Sequence, residues 1–179
     1  DVDTYNVAVG YNAGYAVTTG TQNTIIGGLA GDALTTGSLN TAMGYEALSG
    51  EDTGNRNTAM GWRALKALNY DGSAYNTAFG FSAGEAISTG LQNTIIGGLA
   101  GDSLTTGSNN VIIGYNAAAS AVDVQNEFTL GNSSIAALRC QVTSISSLSD
   151  KRDKKDIKDS KYGLDFIDSL KPVTFEWDQ

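Results

Sequence analysis

Gln22-Asn23-Thr24-Ile25-Ile26-Gly27-Gly28-Leu29-Ala30-Gly31-Asp32 returns letter for letter as Gln92–Asp102, 70 residues further on. Its core is the unit Asn-Thr-apolar-apolar-Gly. Working outward, the glycine of that unit recurs at Gly10, Gly27, Gly44, Gly61, Gly80, Gly97, Gly114 and Gly131, with spacings of 17, 17, 17, 19, 17, 17 and 17. Clear copies begin at Asn6, Asn23, Asn40, Asn57, Asn76, Asn93 and Asn110, and a degenerate copy ends at Gly131. An alanine follows three residues after each of the first seven glycines, from Ala13 to Ala117. A Thr-Gly pair precedes most of the asparagines, as at Thr19-Gly20 and Thr36-Gly37. The one longer spacing holds Asn69-Tyr70-Asp71-Gly72, a turn-rich insertion. A fixed period near 20 residues means a stack of similar coils, extended by duplication.

The coils read as strands and turns. Each apolar run is two or three residues long and bounded by glycine, which is costly inside helices and suited to tight corners. Seventeen residues at strand rise give a contour of about 56 Å, enough for two short strands and two turns per unit. Stacked at strand spacing, about 4.8 Å, equivalent residues form columns. The recurrent asparagine has two readings, which are compatible. Its amide pairs with the asparagines above and below, as in other stacked sheets, or it bonds its own backbone at a turn. The fold class is all-β: a solenoid-like shaft of 17-residue units.

Strand neighbours point to opposite sides. Yet Ile25-Ile26, Ala42-Met43, Ala59-Met60, Ala78-Phe79, Ile95-Ile96 and Ile112-Ile113 are apolar on both. One side fills the coil; the other is expected to pack on copies of the same chain. After the corner glycines come Tyr11, Tyr45, Trp62, Phe81 and Tyr115, with Gly28 and Gly98 at the remaining places. These read as a cap over the coil edge, a contact between subunits, or a platform on which sugar rings stack.

Composition sets limits. The 179 residues carry a net charge of −8 and no histidine, which removes Ser-His-Asp chemistry and most zinc sites. An acidic chain is a poor partner for nucleic acid. No apolar run approaches the roughly 20 residues of a membrane span. Cys140 is the only cysteine, so no disulfide closes within the chain. The chain begins at Asp1 without a methionine and reads as a piece of a longer protein. Acidic residues such as Asp32, Glu46, Glu85 and Asp102 are scattered through the repeat, Asp32 and Asp102 as turn caps. No metal and no cofactor is expected.

Charged side chains become about five times denser from Ser149 onward, where glycine nearly disappears. This predicts a repeat shaft over 1–131, a neck over 132–148 in which Ile135–Leu138 and Val142–Ile145 read as short strands or a trimer neck, and a different segment over 149–179.

Residues 5–131 resemble the Asn-x-x-x-Gly repeats of trimeric β-roll adhesin heads and of phage tail-fibre shafts. The resemblance implies a trimeric, interwound β shaft, although 17 residues exceed the usual adhesin period. Leu148-Ser149-Asp150-Lys151-Arg152-Asp153-Lys154-Lys155-Asp156-Ile157 resembles the start of the intramolecular chaperone, or S74 self-cleaving peptidase, of phage tailspikes and fibres. Leu170-Lys171-Pro172-Val173-Thr174-Phe175-Glu176-Trp177 continues the likeness, with a short amphipathic helix before it, so the segment is expected to be α+β.

The resemblance implies cleavage of Leu148–Ser149, with Ser149 as nucleophile and Lys154 as base. Lys155 competes for the base; Arg152 helps depress the lysine pKa, and Asp150 orients the turn. A lysine serves as base once burial or nearby positive charge lowers its pKa. The chemistry is single-turnover maturation. The family domain extends beyond the matching residues, so a chain ending at Gln179 is expected to cleave poorly or not at all.

The leading reading is a homotrimeric tail-fibre shaft of a virion, serving attachment to a host surface glycan or protein. A bacterial surface adhesin head shares the repeat but not the Ser149 motif. An ice-binding solenoid is suggested by Thr24, Thr41, Thr58, Thr77 and Thr94, though Val7 and Val111 interrupt that ladder. A solenoid polysaccharide lyase or hydrolase needs paired carboxylates, which the repeat does not offer.

Overall fold

A computed structural model describes residues 4–139. Eight three-residue strands follow one another: β1 (Val7–Val9), β2 (Thr24–Ile26), β3 (Thr41–Met43), β4 (Thr58–Met60), β5 (Thr77–Phe79), β6 (Thr94–Ile96), β7 (Val111–Ile113) and β8 (Phe128–Leu130). They form one parallel sheet in strict sequence order, β1 to β8. The fold is an all-β parallel solenoid of about seven turns. The chain divides into two compact units, Asp1–Ala137 and Leu138–Gln179, and the coils belong to the first.

Each coil has one strand, not the two that contour length allows. The rest of the coil is a run of turns. Residues that ordinarily avoid positive φ adopt it there, as at Gln22 (59°), Leu29 (56°) and Leu39 (63°). Such values bend the chain too often for a second strand. Pairing between coils nevertheless continues through the turns. Glu46 N–H donates to Gly28 O at 3.0 Å, Gly31 N–H to Ala47 O at 2.9 Å, and Leu39 N–H to Thr21 O at 2.9 Å. The backbone donors of the turns are thus satisfied by the neighbouring coil, as buried backbone requires.

The corner glycines are obligatory on two counts. Gly27 has φ of 131°, and a Cβ there would sit 2.5 Å from Gly44 O in the next coil. Gly37 has no such φ, but a Cβ would meet Gly54 O at 2.5 Å and Leu34 Cδ2 at 2.6 Å. The first glycine supplies conformation and clearance; the second supplies clearance alone.

The middle residue of each strand from β2 to β7 points inward and is buried: Ile25, Ala42, Ala59, Ala78, Ile95 and Ile112. Beneath them lie the alanine column from Ala30 to Ala117 and a column of Leu34, Leu68, Ile87 and Leu104. The alanine N–H closes a tight turn onto the corner glycine carbonyl, as from Ala47 to Gly44 at 3.2 Å. A coil of this girth leaves room at that turn for a methyl group and little more.

The asparagines are buried and form a ladder, but mainly to backbone. Asn23 Oδ1 accepts from Asn40 N–H at 2.9 Å, and Asn23 Nδ2 donates to Gly37 O at 2.8 Å. The same pair of bonds recurs at Asn93, with Asn110 N–H at 3.0 Å and Gly107 O at 2.9 Å. Side-chain amides also touch in part of the stack, as from Asn110 Nδ2 to Asn93 Oδ1 at 3.1 Å. The Thr-Gly pair before most of the asparagines is now explained: its glycine carbonyl receives the amide of the preceding rung. The ladder ends at Glu127, whose N–H takes Asn110 Oδ1 at 2.8 Å.

Over residues 4–139 every strand pairs with its sequence neighbours in the same chain, so each coil closes on the next within that chain. Ile135–Leu138 form no strand, which leaves the trimer-neck reading; residues 132–139 are irregular, with Ile135 and Leu138 exposed. Val142–Ile145 and the expected α+β segment at 149–179 lie outside the described residues.

Candidate functional site

The solenoid exposes its chemistry in columns, because equivalent residues of successive coils stand one above another. On the sheet, the residues on either side of each buried centre face outward. The first column runs Val7, Thr24, Thr41, Thr58, Thr77, Thr94, Val111, Phe128, and the second Val9, Ile26, Met43, Met60, Phe79, Ile96, Ile113, Leu130. The second is apolar throughout and open to solvent in places, with Val9 58%, Phe79 54% and Leu130 46% exposed. The threonines are in register, but apolar residues bound them at both ends, so the array is shorter than the sheet.

Past the corner glycine stands the aromatic column. Trp62 and Phe81 stack with centroids 4.7 Å apart and planes within 5°. The ladder is broken elsewhere. Tyr45 leans toward the space above Gly28, and Tyr115 toward that above Gly98; a Cβ on these glycines would lie 3.4 and 3.6 Å from the respective tyrosine Cδ2 atoms. The Arg63 guanidinium lies 4.2 Å from the Trp62 ring centroid, a cation–π contact.

Arg63 also centres an ion cluster. Its Nε meets Glu46 Oε2 at 2.8 Å, its Nη1 meets Glu85 Oε1 at 3.6 Å, and Lys66 Nζ meets Glu46 Oε2 at 2.7 Å. Sequence reading left these residues scattered. The coil register gathers them: Glu46 and Arg63 are 17 residues apart and share one column, while Lys66 and Glu85 share another. Lys66 and then Arg63 hold the Glu46 carboxyl below its ordinary range, against the opposing effect of burial. Both glutamates serve a cation, so they are not placed as an acid–base pair. Asp32 is raised, chiefly by burial and also by the nearby Glu46.

Glu51 was not anticipated. It is fully buried, and it occupies the core column between Leu34 and Leu68. Its Oε1 accepts from Gly54 N–H at 2.8 Å and Asp52 N–H at 3.1 Å, and its Oε2 from Tyr70 N–H at 3.3 Å. Burial pushes this carboxyl above its ordinary range, and the backbone donors only partly oppose it. The available signal was the repeat register, which puts Glu51 where other coils carry Val, Leu or Ile. Glu127, by contrast, is held low by Ser120 and Thr129 hydroxyls.

Among the described residues, no three His, Cys, Asp or Glu side chains gather as a metal site, and no helix is long and apolar enough to cross a membrane. Leu148, Ser149, Asp150, Arg152, Lys154 and Lys155 lie outside the described residues.

Residues 149–179 match the Peptidase_S74 family, chaperone of endosialidase. The match begins at Ser149. A repeat solenoid that runs into the start of such a chaperone domain fits a phage fibre shaft. No curated protein and no solved structure matches the chain.

Proposed function

We propose that this chain is a shaft segment of a homotrimeric phage tail fibre. It serves host attachment on the virion, and its C-terminal segment opens a chaperone that directs trimerisation. The observation that carries this is the S74 match starting at Ser149, later in the same chain than a solenoid with an unbroken apolar column on its outer face. A structural stack with charge-neutralised glutamates suits a shaft better than a hydrolase. The host receptor, a surface glycan or a protein, engages the full fibre.

Release of the chaperone follows from Ser149 and Lys154. The neutral Lys154 amine takes the Ser149 hydroxyl proton as Oγ adds to the Leu148 carbonyl carbon. The Leu148–Ser149 C–N bond breaks, the proton passes to the freed Ser149 amine, and Leu148 is left as an ester on Oγ. Water then hydrolyses the ester. Arg152 disfavours a second positive charge nearby, which lowers the lysine pKa, and Asp150 orients the turn.

A native mass spectrum tests the assembly. Three copies per particle are expected, and a stable monomer overturns the shaft reading. In the full-length protein, Ser149→Ala should abolish the cut after Leu148, read by intact mass. Undiminished cleavage in that variant would remove Ser149 from the chemistry.

A further inference from the structure

We infer that the outward face of the sheet is where copies of this chain meet, parallel and in register, each coil against the same coil of its neighbours. The inference rests on the trimeric shaft reading and adds which surface faces the axis.

The outer side of the strands has no work inside its own chain. Each strand from β2 to β7 already fills the coil with its middle residue, and the core cluster includes none of the outer ones. Yet Val9, Ile26, Met43, Met60, Phe79, Ile96, Ile113 and Leu130 form a continuous apolar ridge. The threonine column lies beside it on the same face, and the aromatic column flanks it across the glycine corner. None of the three columns contains a charged residue over the whole stack.

Charge selects the face. The chain has a net charge of −8, so identical copies repel one another over most of their surface. Asp32, Glu46, Lys66, Glu85 and Asp102 lie off these columns, and Arg63 touches the face only at its aromatic margin, over Trp62. Copies therefore approach at least cost along this face. A membrane surface, commonly anionic, is disfavoured by the same acidity.

Shape selects the occupant. Eight rungs at strand spacing make a straight ridge about 34 Å long. A partner that matches it needs apolar groups repeating at that spacing over that length, which a second copy of the stack supplies. Closed cyclic assembly about an axis along the stack puts each rung level with its copies. Because the coils close within one chain, the copies stand side by side over residues 4–139.

The size is consistent with a supported contact. With the aromatic column the face is about 13 Å wide, giving a footprint of about 440 Å², the size of the largest apolar patch on a typical monomer, which is often functional. It falls short of the roughly 800 Å² per partner in a standard interface. A shaft with this face alone associates weakly, and a downstream trimerising segment would supply the rest.

Cysteine cross-linking in the whole chain tests the face. In a Cys140→Ser background, Met60→Cys lies on the ridge and Ser103→Cys on an exposed turn away from it. A short bismaleimide should convert most of the Met60→Cys protein to covalent dimer and leave Ser103→Cys monomeric on a denaturing gel. In a mixed assembly, Met60→Cys should link to itself and not to Ile113→Cys. Phe79→Asp should lower the three-copy fraction at least ten-fold in native mass spectra, with the circular dichroism of the solenoid unchanged. Three copies that link through Ser103→Cys, or link Met60→Cys to Ile113→Cys, would overturn the face or its register while leaving the shaft reading intact. A folded wild-type monomer would overturn both.

Discussion

The coil between Gly27 and Gly44 has 17 residues; the coil between Gly61 and Gly80 has 19. Both deliver the same result at the sheet. Thr24 pairs with Thr41 in the first, and Thr58 with Thr77 in the second. The regular coil has Leu34 in its core column. At the longer coil's neighbour the same column holds Glu51, whose carboxylate receives the Tyr70 N–H from the insertion. A stack of this kind accepts added residues if the columns stay in register and the displaced backbone donors find an acceptor. Each coil interacts with its neighbours only, so such a repair stays local.

The largest effect that breaks this comparison is expected at glycine. Gly44 has φ of 137°, and a Cβ would collide with the Gly61 carbonyl. Gly72, inside the insertion, has φ of 134°, but a Cβ would meet only Tyr70 Cε1, at 3.4 Å. Gly44→Ala should cost about 4 kcal/mol, strain and clash together, and Gly72→Ala about 2 kcal/mol, from strain alone. Urea denaturation of the two variants decides it, and equal losses would mean that clearance between coils is unimportant.

The asparagine ladder sharpens the comparison at intermediate scale. Asn93 makes two short bonds, to Asn110 N–H and Gly107 O. Asn57, beneath the insertion, lacks the glycine partner; it accepts from Asn76 N–H at 3.2 Å and donates at 3.3 Å. Asn93→Ala should cost about 3 kcal/mol and Asn57→Ala about 1.5 kcal/mol, since each buried partner left unpaired costs about 1–3 kcal/mol. The reverse order in thermal melts would show that the insertion is the tighter part of the ladder.

The smallest effect is a slope with pH. Burial raises the Glu51 carboxyl, so the folded chain binds its proton more tightly than the unfolded chain does. Stability from this group is therefore present below the ordinary carboxylate range and is lost as pH rises through the raised value. Glu51→Gln keeps an acceptor oxygen and removes the titration. Its stability relative to wild type should rise as pH climbs from the ordinary carboxylate range through the raised value, and level off beyond it. Glu46 and Glu127 are shifted the opposite way, are unchanged in the variant, and cancel in the difference. A flat difference curve would show that Glu51 is not buried as a carboxylate.

Much of the fold was legible because the repeat states it many times. The corner glycines, the inward alanines and the buried asparagines all sit where the period puts them. The number of strands per coil was not legible. Leu29, Leu39 and Leu99 have left-handed backbone conformations that leucine does not advertise. The candidate site divides similarly. The apolar ridge and the aromatic column were readable from their fixed offsets to Gly27 and its equivalents. The Glu46–Arg63–Lys66–Glu85 cluster was not, because its members are distant in sequence and adjacent only once coils are stacked. Ser149 and Lys154 are expected from a motif that lies outside the described residues.

By itself, the sequence determined the period, the corners and the chemistry available at each column, because glycine, asparagine and alanine act there through local geometry. Only the tertiary structure decided that one strand serves each coil, that coils close within a single chain, and that a glutamate replaces leucine in the core at the insertion. Those outcomes depend on which backbone groups of one coil meet those of the next, and that pairing exists only after the stack has formed.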